Sequence, residues 1–254
     1  MPLFVSTLKG WVHPADLFVG LHANDANAFW LDRETHPTER FSVMGASSNV
    51  ISAEDFEWLA AEIRPQEHLD VPFEFRPGYV GLIDYEGGSR FMHIDRALVL
   101  DHDGQQIFFI GEFDSREAFE YWHHAALLRI GVSGGEKAMY NLKHSPLRAK
   151  QSSVRHGEAR YLQLIEQAQK HISLGDVYQL CLTNQISLEV EGNALVTYLQ
   201  LRESNPAPYA GFVRISGQEI ICCSPEQFLK VSADGELSSK PIKGTRPRHQ
   251  DAQE

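Results

Sequence analysis

The stretch RALVLDHDGQQIFFIGEF, Arg96 to Phe113, consists of two apolar, β-branched and aromatic runs on either side of His102-Asp103-Gly104. Asp-Gly between such runs is a strong short-range signal for a hairpin. It makes the neighbouring strands antiparallel. The same grammar extends outward in both directions. NAFWLDR (27–33) and RFSVMGASS (40–48) read as consecutive strands, with His36-Pro37 marking the turn between them. PGYVGLIDYE reads as a buried strand after a Pro-Gly turn, and YAGFVRI, EIICCS and FLKVSADGELSSKPI continue as antiparallel strands.

Helices punctuate these strands. AEDFEWLAAEIR places Phe56, Leu59 and Ile63 at helical spacing. SREAFEYWHHAALLRIG is opened by Asp114 with Glu117 in capping-box fashion, and Gly131 is positioned to end it. In ARYLQLIEQAQKHISLG the residues Tyr161, Ile165, Ala168 and Ile172 form an amphipathic stripe, followed by Gly175 as a C-cap. ALVTYLQLRESN reads as one more helix. Strands outnumber helices and hairpin links outnumber βαβ links. The expected class is therefore α+β, with large, mostly antiparallel sheets covered by helices. The polar stretch 131–158 reads as a connector, and DVYQLCLTNQISLEV (176–190) as one long strand.

Composition narrows the function. The 254 residues carry 43% hydrophobic and 22% charged residues, a globular balance, with a formal charge of −11. Such a surface repels nucleic acid and anionic membranes, though a local basic pocket can still take an anionic small molecule. The cysteines Cys181, Cys222 and Cys223 have no metal-type spacing and read as reduced thiols. With no leader-like N-terminus and no apolar run long enough to span a bilayer, a soluble cytoplasmic protein is expected.

Three features could carry chemistry. Lys243 in KPIKGTRPR lies among Lys240, Arg246 and Arg248. Nearby cations lower a lysine's pKa and could make it a nucleophile, although alone the segment reads more readily as a solvated basic turn. Glu226 follows an apolar strand and a Ser-Pro turn. It is either an ordinary strand-end glutamate or a partly desolvated general acid. Gln179, in GDVYQLCLT, would share a strand face with Cys181 and Thr183. His123-His124 are adjacent, so they cannot present two rings on one helix face to a metal. Trp11, Trp30, Trp58 and Trp122 read as core or interface residues.

Taken in order and spacing, GDVYQLCLT, NPAPYAGFV, SPEQFLKV and PIKGTRPR resemble the chorismate-utilising enzymes, specifically component I of aminodeoxychorismate synthase and its relative anthranilate synthase component I. AFWLDR…RFSVMGASS and GYVGLIDYE resemble the N-terminal part of the same proteins. The resemblance implies an N-terminal region over 1–148 and an incomplete chorismate-binding domain over 149–254. Lysine at the position of Lys243 resembles the aminodeoxychorismate branch, where alanine marks the anthranilate one. Glutamine at 179 resembles the ammonia-using enzymes, not those that activate water. The resemblance further implies a covalent lysine intermediate, Glu226 as general acid, and substrate binding by Gln179, Gly244 and Thr245.

It also implies Mg²⁺, with ligands beyond the sequence in hand, and a glutamine amidotransferase partner supplying ammonia towards 4-aminobenzoate and folate. The family domain normally continues past GTRPR, so the chain reads as an N-terminal fragment expected to make no product alone. Leu31-Asp32-Arg33 departs from the Leu-Asp-Ser of relatives and puts a tryptophan site there in doubt. Anthranilate synthase component I is the enzymatic alternative, and a non-catalytic partner of the amidotransferase is the other.

Overall fold

A computed structural model of the chain describes residues 1–55, 57–62, 69–133 and 148–242. The Arg96–Phe113 hairpin forms as expected. Strand β7 (Arg96–Asp101) pairs antiparallel with β8 (Gln106–Glu112) in the register Leu98↔Phe109 and Leu100↔Ile107. The connecting loop is braced by the buried Asp101, whose Oδ1 accepts from the backbone N–H of Asp103 (3.2 Å) and Gly104 (3.0 Å). A Cβ on Gly104 would come within 2.6 Å of Asp101 Oδ2, so only glycine fits against that brace.

Around this hairpin a seven-stranded antiparallel sheet assembles in the order β1-β8-β7-β3-β2-β11-β12. Its other members are β1 (Leu3–Lys9), β2 (Ala28–Asp32), β3 (Phe41–Ala46), β11 (Tyr209–Ile215) and β12 (Gln218–Ser224). The strands alternate between two apolar faces. Ala28, Trp30, Met44, Leu98, Leu100, Ile107, Phe109 and Phe212 point to one core. There they meet the buried faces of α1 (Pro14–His22), α3 (Arg116–Ser133) and α5 (Ala194–Ser204). Phe29, Val43, Ala97, Val99, Phe108 and Ile110 point to a second core against Met92 and Ile94 of a three-stranded sheet, β4-β6-β5. That sheet comprises β4 (Val50–Ala53), β5 (Gly78–Ile83) and β6 (Ser89–Ile94). The short helix α2 (Glu57–Glu62) carries Trp58, which packs edge-on against Tyr79 and Phe91; Phe56 and Ile63 lie outside the described residues. The α+β class holds, with a helix layer, a large sheet and a small sheet.

Several local expectations are corrected. β5 is half-buried, not buried, because it is an edge strand of the small sheet. Helix α3 is capped by Ser115, whose Oγ accepts from Ala118 N–H at 3.2 Å; Asp114 lies one residue too early for that reach. The helix runs through Gly131 to Ser133, and Gly131 does not take the left-handed conformation of a C-cap. The predicted connector contains a strand, β9 (Arg148–Val154), paired antiparallel with β10 (Ile186–Glu191).

The chain divides into one compact unit of Met1–His144 with Ala194–Glu254 and a second of Ser145–Asn193. Strands from both sides of residue 148 thus share the large sheet, since β11 and β12 enter it after an excursion. The second unit holds β9, β10 and α4 (Glu158–Leu174). Gly175, at φ 79°, ends α4 by directing its N–H to the carbonyls of His171 and Ile172, as its sequence position predicts.

Candidate active site

Chain geometry around Glu226 is set by the exit from the large sheet. β12 ends at Ser224, and after Pro225-Glu226 the chain enters β13 (Gln227–Val231), which pairs with β14 (Leu237–Lys240). Ser224 Oγ ties the turn by donating to the Glu226 carbonyl at 3.2 Å. The Glu226 side chain is exposed, so of the two readings the strand-end glutamate holds and the desolvated one does not: among the described residues no element buries it.

The buried member is its neighbour. Gln227, 7% exposed, accepts at Oε1 from Tyr209 Oη (3.0 Å) and donates through Nε2 to Ser238 O (3.2 Å) and Oγ (3.1 Å). It also stands opposite Lys240 in the β13–β14 register. Gln227 and Tyr209 were missed from sequence. The only signal was that each opens a strand, Tyr209 after Asn-Pro-Ala-Pro and Gln227 after Ser-Pro-Glu.

Glu226 lines a cavity of about 380 Å³ with Tyr209, Gln227, Arg33, Glu39 and Lys230 among its walls. Arg33 stacks over the Tyr209 ring at 5.0 Å and pairs with Glu39 at 3.3 Å. Lys230 pairs with Glu74 at 2.9 Å and Glu39 at 3.5 Å. Lys240 has no ion-pair partner among the described residues. His36 stands edge-on to Tyr209 at 5.0 Å. Burial pushes its pKa down against the pull of Glu39, and Arg33, Lys240 and Lys230 push it down further. Cations therefore converge on this edge of an acidic protein.

Behind Arg33 lies a buried polar cluster. Asp32, 3% exposed, points to the helix face with Trp30, and Ser42 of β3 lies across from it. Asp32 accepts from Arg202 Nε (2.8 Å), Tyr198 Oη (3.2 Å) and Ser42 Oγ (3.3 Å). Tyr198 and Arg202 are four residues apart on α5 and so share a face. Arg202 also pairs with Glu34 and lies 4.7 Å above the Trp30 ring.

The other predicted site residues fall elsewhere. Gln179 belongs to the second unit, exposed, in a stretch without regular structure between α4 and β10, so the expected strand face with Cys181 and Thr183 does not form. Lys243, Gly244 and Thr245 lie outside the described residues. Among the described residues no three His, Cys, Asp or Glu side chains come together as a metal site, so those residues do not fit Mg²⁺. Cys181, Cys222 and Cys223 are unbridged, and no helix among the described residues is long and apolar enough to cross a membrane.

Comparison with known proteins agrees with this architecture. The chain is 35% identical over 210 residues to an aminodeoxychorismate synthase of Streptomyces pristinaespiralis, covering 75% of this chain and 29% of that protein. It is 29% identical over 205 residues to aminodeoxychorismate synthase component 1 of Escherichia coli, covering 76% of this chain and 43% of that protein. The chain thus spans less than half the length of either relative. The fold is that of anthranilate synthase component I from Streptococcus pneumoniae, with a TM-score of 0.60 at 22% identity over 90% of this chain and 52% of that one. The sequence pattern of the chorismate binding enzymes runs from residue 26 to residue 254, through the large sheet, the second unit and the Glu226 turn alike, and the chain belongs to that family.

Proposed function

We propose that this chain is the Lys243-bearing part of an aminodeoxychorismate synthase component I, which converts chorismate and ammonia to 4-amino-4-deoxychorismate. The observation that carries the reading is the β13–β14 register. Gln227, next to Glu226, stands opposite Lys240, and Lys243 follows only three residues later in sequence. Glu226 thus directly precedes β13, and Lys243 comes three residues after the end of β14 in sequence, which supports drawing an acid and an amine nucleophile from this part of the chain.

The chemistry needs both. The Lys243 amine attacks C2 of chorismate, both conjugated ring double bonds shift towards C4, and the C4–O bond breaks. Hydroxide is a poor leaving group, so Glu226 in its acid form donates a proton and the oxygen departs as water. Ammonia then adds at C4, both double bonds return to their original positions, and the C2–N bond breaks to restore the lysine. Gln179, Gly244 and Thr245 hold the substrate in this reading. Chorismate's two carboxylates suit the cations that gather at this edge, with Lys240 unpaired among the described residues and Arg246 and Arg248 following in sequence. The ammonia comes from a glutamine amidotransferase subunit, and the product feeds 4-aminobenzoate and folate synthesis in the cytoplasm. Mg²⁺ is the ion the family resemblance implies, and none of these steps runs through it.

The test uses this chain joined at Glu254 to the segment of the Escherichia coli component 1 that follows its match, assayed with chorismate, Mg²⁺ and ammonium. The expected product is 4-amino-4-deoxychorismate, formed roughly 10²–10⁴-fold more slowly with Glu226→Gln, the range for loss of a general acid. Lys243→Ala should remove the covalent adduct seen by intact mass. Anthranilate as product, or an unimpaired Lys243→Ala enzyme, overturns the reading.

A further inference from the structure

Glu226 sits on a short turn, Pro225-Glu226, between the end of β12 and the start of β13. Its side chain is exposed, so the main chain at the two flanks of the turn has the larger part in aiming it. Tyr209 holds both flanks. Its backbone lies opposite Ser224 in the β11–β12 register, and its hydroxyl donates to Gln227 Oε1 at 3.0 Å. On the far side the Gln227 amide donates to Ser238 O at 3.2 Å and to Ser238 Oγ at 3.1 Å. The β13–β14 ladder shifts register here: Gln227 stands opposite Lys240, but Lys230 stands opposite Ser238. Irregularities of this kind bend a strand and re-aim the side chains beside them. The buried Gln227 amide thus ties β11, β13 and β14 together at the point where the chain passes from Glu226 into β13.

Packing alone does not ask for glutamine at this position. A buried amide costs free energy unless its acceptor and its donors are paired, and an apolar side chain of similar size carries no such demand. Here Oε1 takes one bond and Nε2 gives two, so the amide fixes direction as well as position. We infer that Gln227, anchored by Tyr209, is a positioning residue: it holds the Glu226 turn in the orientation from which the carboxyl protonates the departing C4 oxygen. The inference rests on the proposed function for the role of Glu226 and adds the group that aims it. Gln227 itself gives no proton and meets no reacting atom in that scheme. Its leverage comes from placement, since moving a catalytic group by about 1 Å can cost on the order of 10²-fold in rate.

The experiment is a double-mutant cycle in the joined polypeptide described above, assayed with chorismate, Mg²⁺ and ammonium. Gln227→Met keeps the side-chain length and removes all three hydrogen bonds. Its kcat should fall about 10–100-fold, with KM for chorismate within about twofold of the parent. Tyr209→Phe keeps the ring under Arg33 and edge-on to His36 but removes one bond, and kcat should fall roughly 3–10-fold. In a Glu226→Gln background, where no acid is left to aim, each change should cost less than about threefold. A residue that only stabilises the fold would act alike in both backgrounds. Equal losses in both, an unchanged kcat for Gln227→Met, or a rise in KM alone overturns the inference and leaves the proposed function standing. Should Gln227→Met lose cooperative urea unfolding, Tyr209→Phe decides by the same criteria. A Glu226→Gln enzyme as fast as its parent overturns the proposed function, and this inference with it.

Discussion

Replacing Asp32 with alanine removes the one acceptor shared by Arg202, Tyr198 and Ser42. The side chains of Arg202 and Asp32 are only 9% and 3% exposed, so water does not substitute for the lost carboxylate. Burial works to lower the Arg202 pKa, but Asp32 and Glu34 raise it overall, so the guanidinium stays charged. Breaking a buried pair by deleting one partner costs about 3–5 kcal/mol. For a protein of this size that corresponds to a drop in Tm of roughly 6–20 °C. Urea unfolding followed by tryptophan fluorescence reads the change directly, because Trp30 lies beneath Arg202. The double variant Asp32→Asn/Arg202→Met removes both charges but leaves an acceptor for Tyr198 and Ser42, and should recover at least half of the loss. A cost below about 1 kcal/mol for Asp32→Ala, or a double variant as unstable as the sum of its singles, would refute the assignment of a buried, charge-dependent clamp.

Gly81→Ala should destabilise the small sheet by about 1–3 kcal/mol, since its Cβ would fall 1.9 Å from the Arg90 carbonyl of the paired strand; an unchanged urea midpoint would contradict that contact. Gly175→Ala should cost about 1–2 kcal/mol at the end of α4, because φ 79° is left-handed, and circular dichroism on heating should show the helical signal melting earlier. Stability should also fall on acidification. Burial holds His102 below the usual histidine pKa, partly offset by Asp32, Glu34 and Asp101 and reinforced by Arg202. The unfolded chain therefore takes up this proton first, so the contribution is complete above about pH 6.5 and is lost as pH falls from there through the depressed folded value. Urea unfolding between pH 7.5 and 5 should show a shallower slope for His102→Gln than for the unaltered chain, and equal slopes would exclude His102 as a source.

The large sheet was readable because both its faces are apolar and its turns carry their own chemistry. Asp101 with Gly104 closes β7 to β8, and His36-Pro37 lies between β2 and β3. Gln179 was misplaced for an identifiable reason. Alternation across 176–190 is real in the sequence, but a strand needs a partner, and β9 meets β10 only from Ile186 onward. Just before that point Asn184 closes the ladder, accepting from His156 N–H at 3.0 Å and donating to its carbonyl at 2.8 Å. Glu226 looked desolvated because it follows an apolar strand, yet burial depends on what packs over a turn, and local sequence is silent about that. The Asp32 cluster was invisible for the complementary reason: its partner Arg202 lies 170 residues away.

That long-range pair connects stability to the candidate chemistry. Helix α5 re-enters the first unit immediately after the second, and the Asp32–Arg202 contact fixes it over β2. The next strand, β11, pairs with β2 on one side and β12 on the other, and β12 ends at the Glu226 turn. Tyr209, at the first position of β11, then reaches across to hold Gln227. The turn that bears Glu226 is thus suspended from the β11–β12 edge of the sheet through contacts made by β2, α5 and β11, of which β2 lies far from it in sequence. A loosened Asp32 clamp should accordingly reach Glu226 through the β11–β12 edge before it disturbs the β7–β8 hairpin, which has its own buried brace at Asp101.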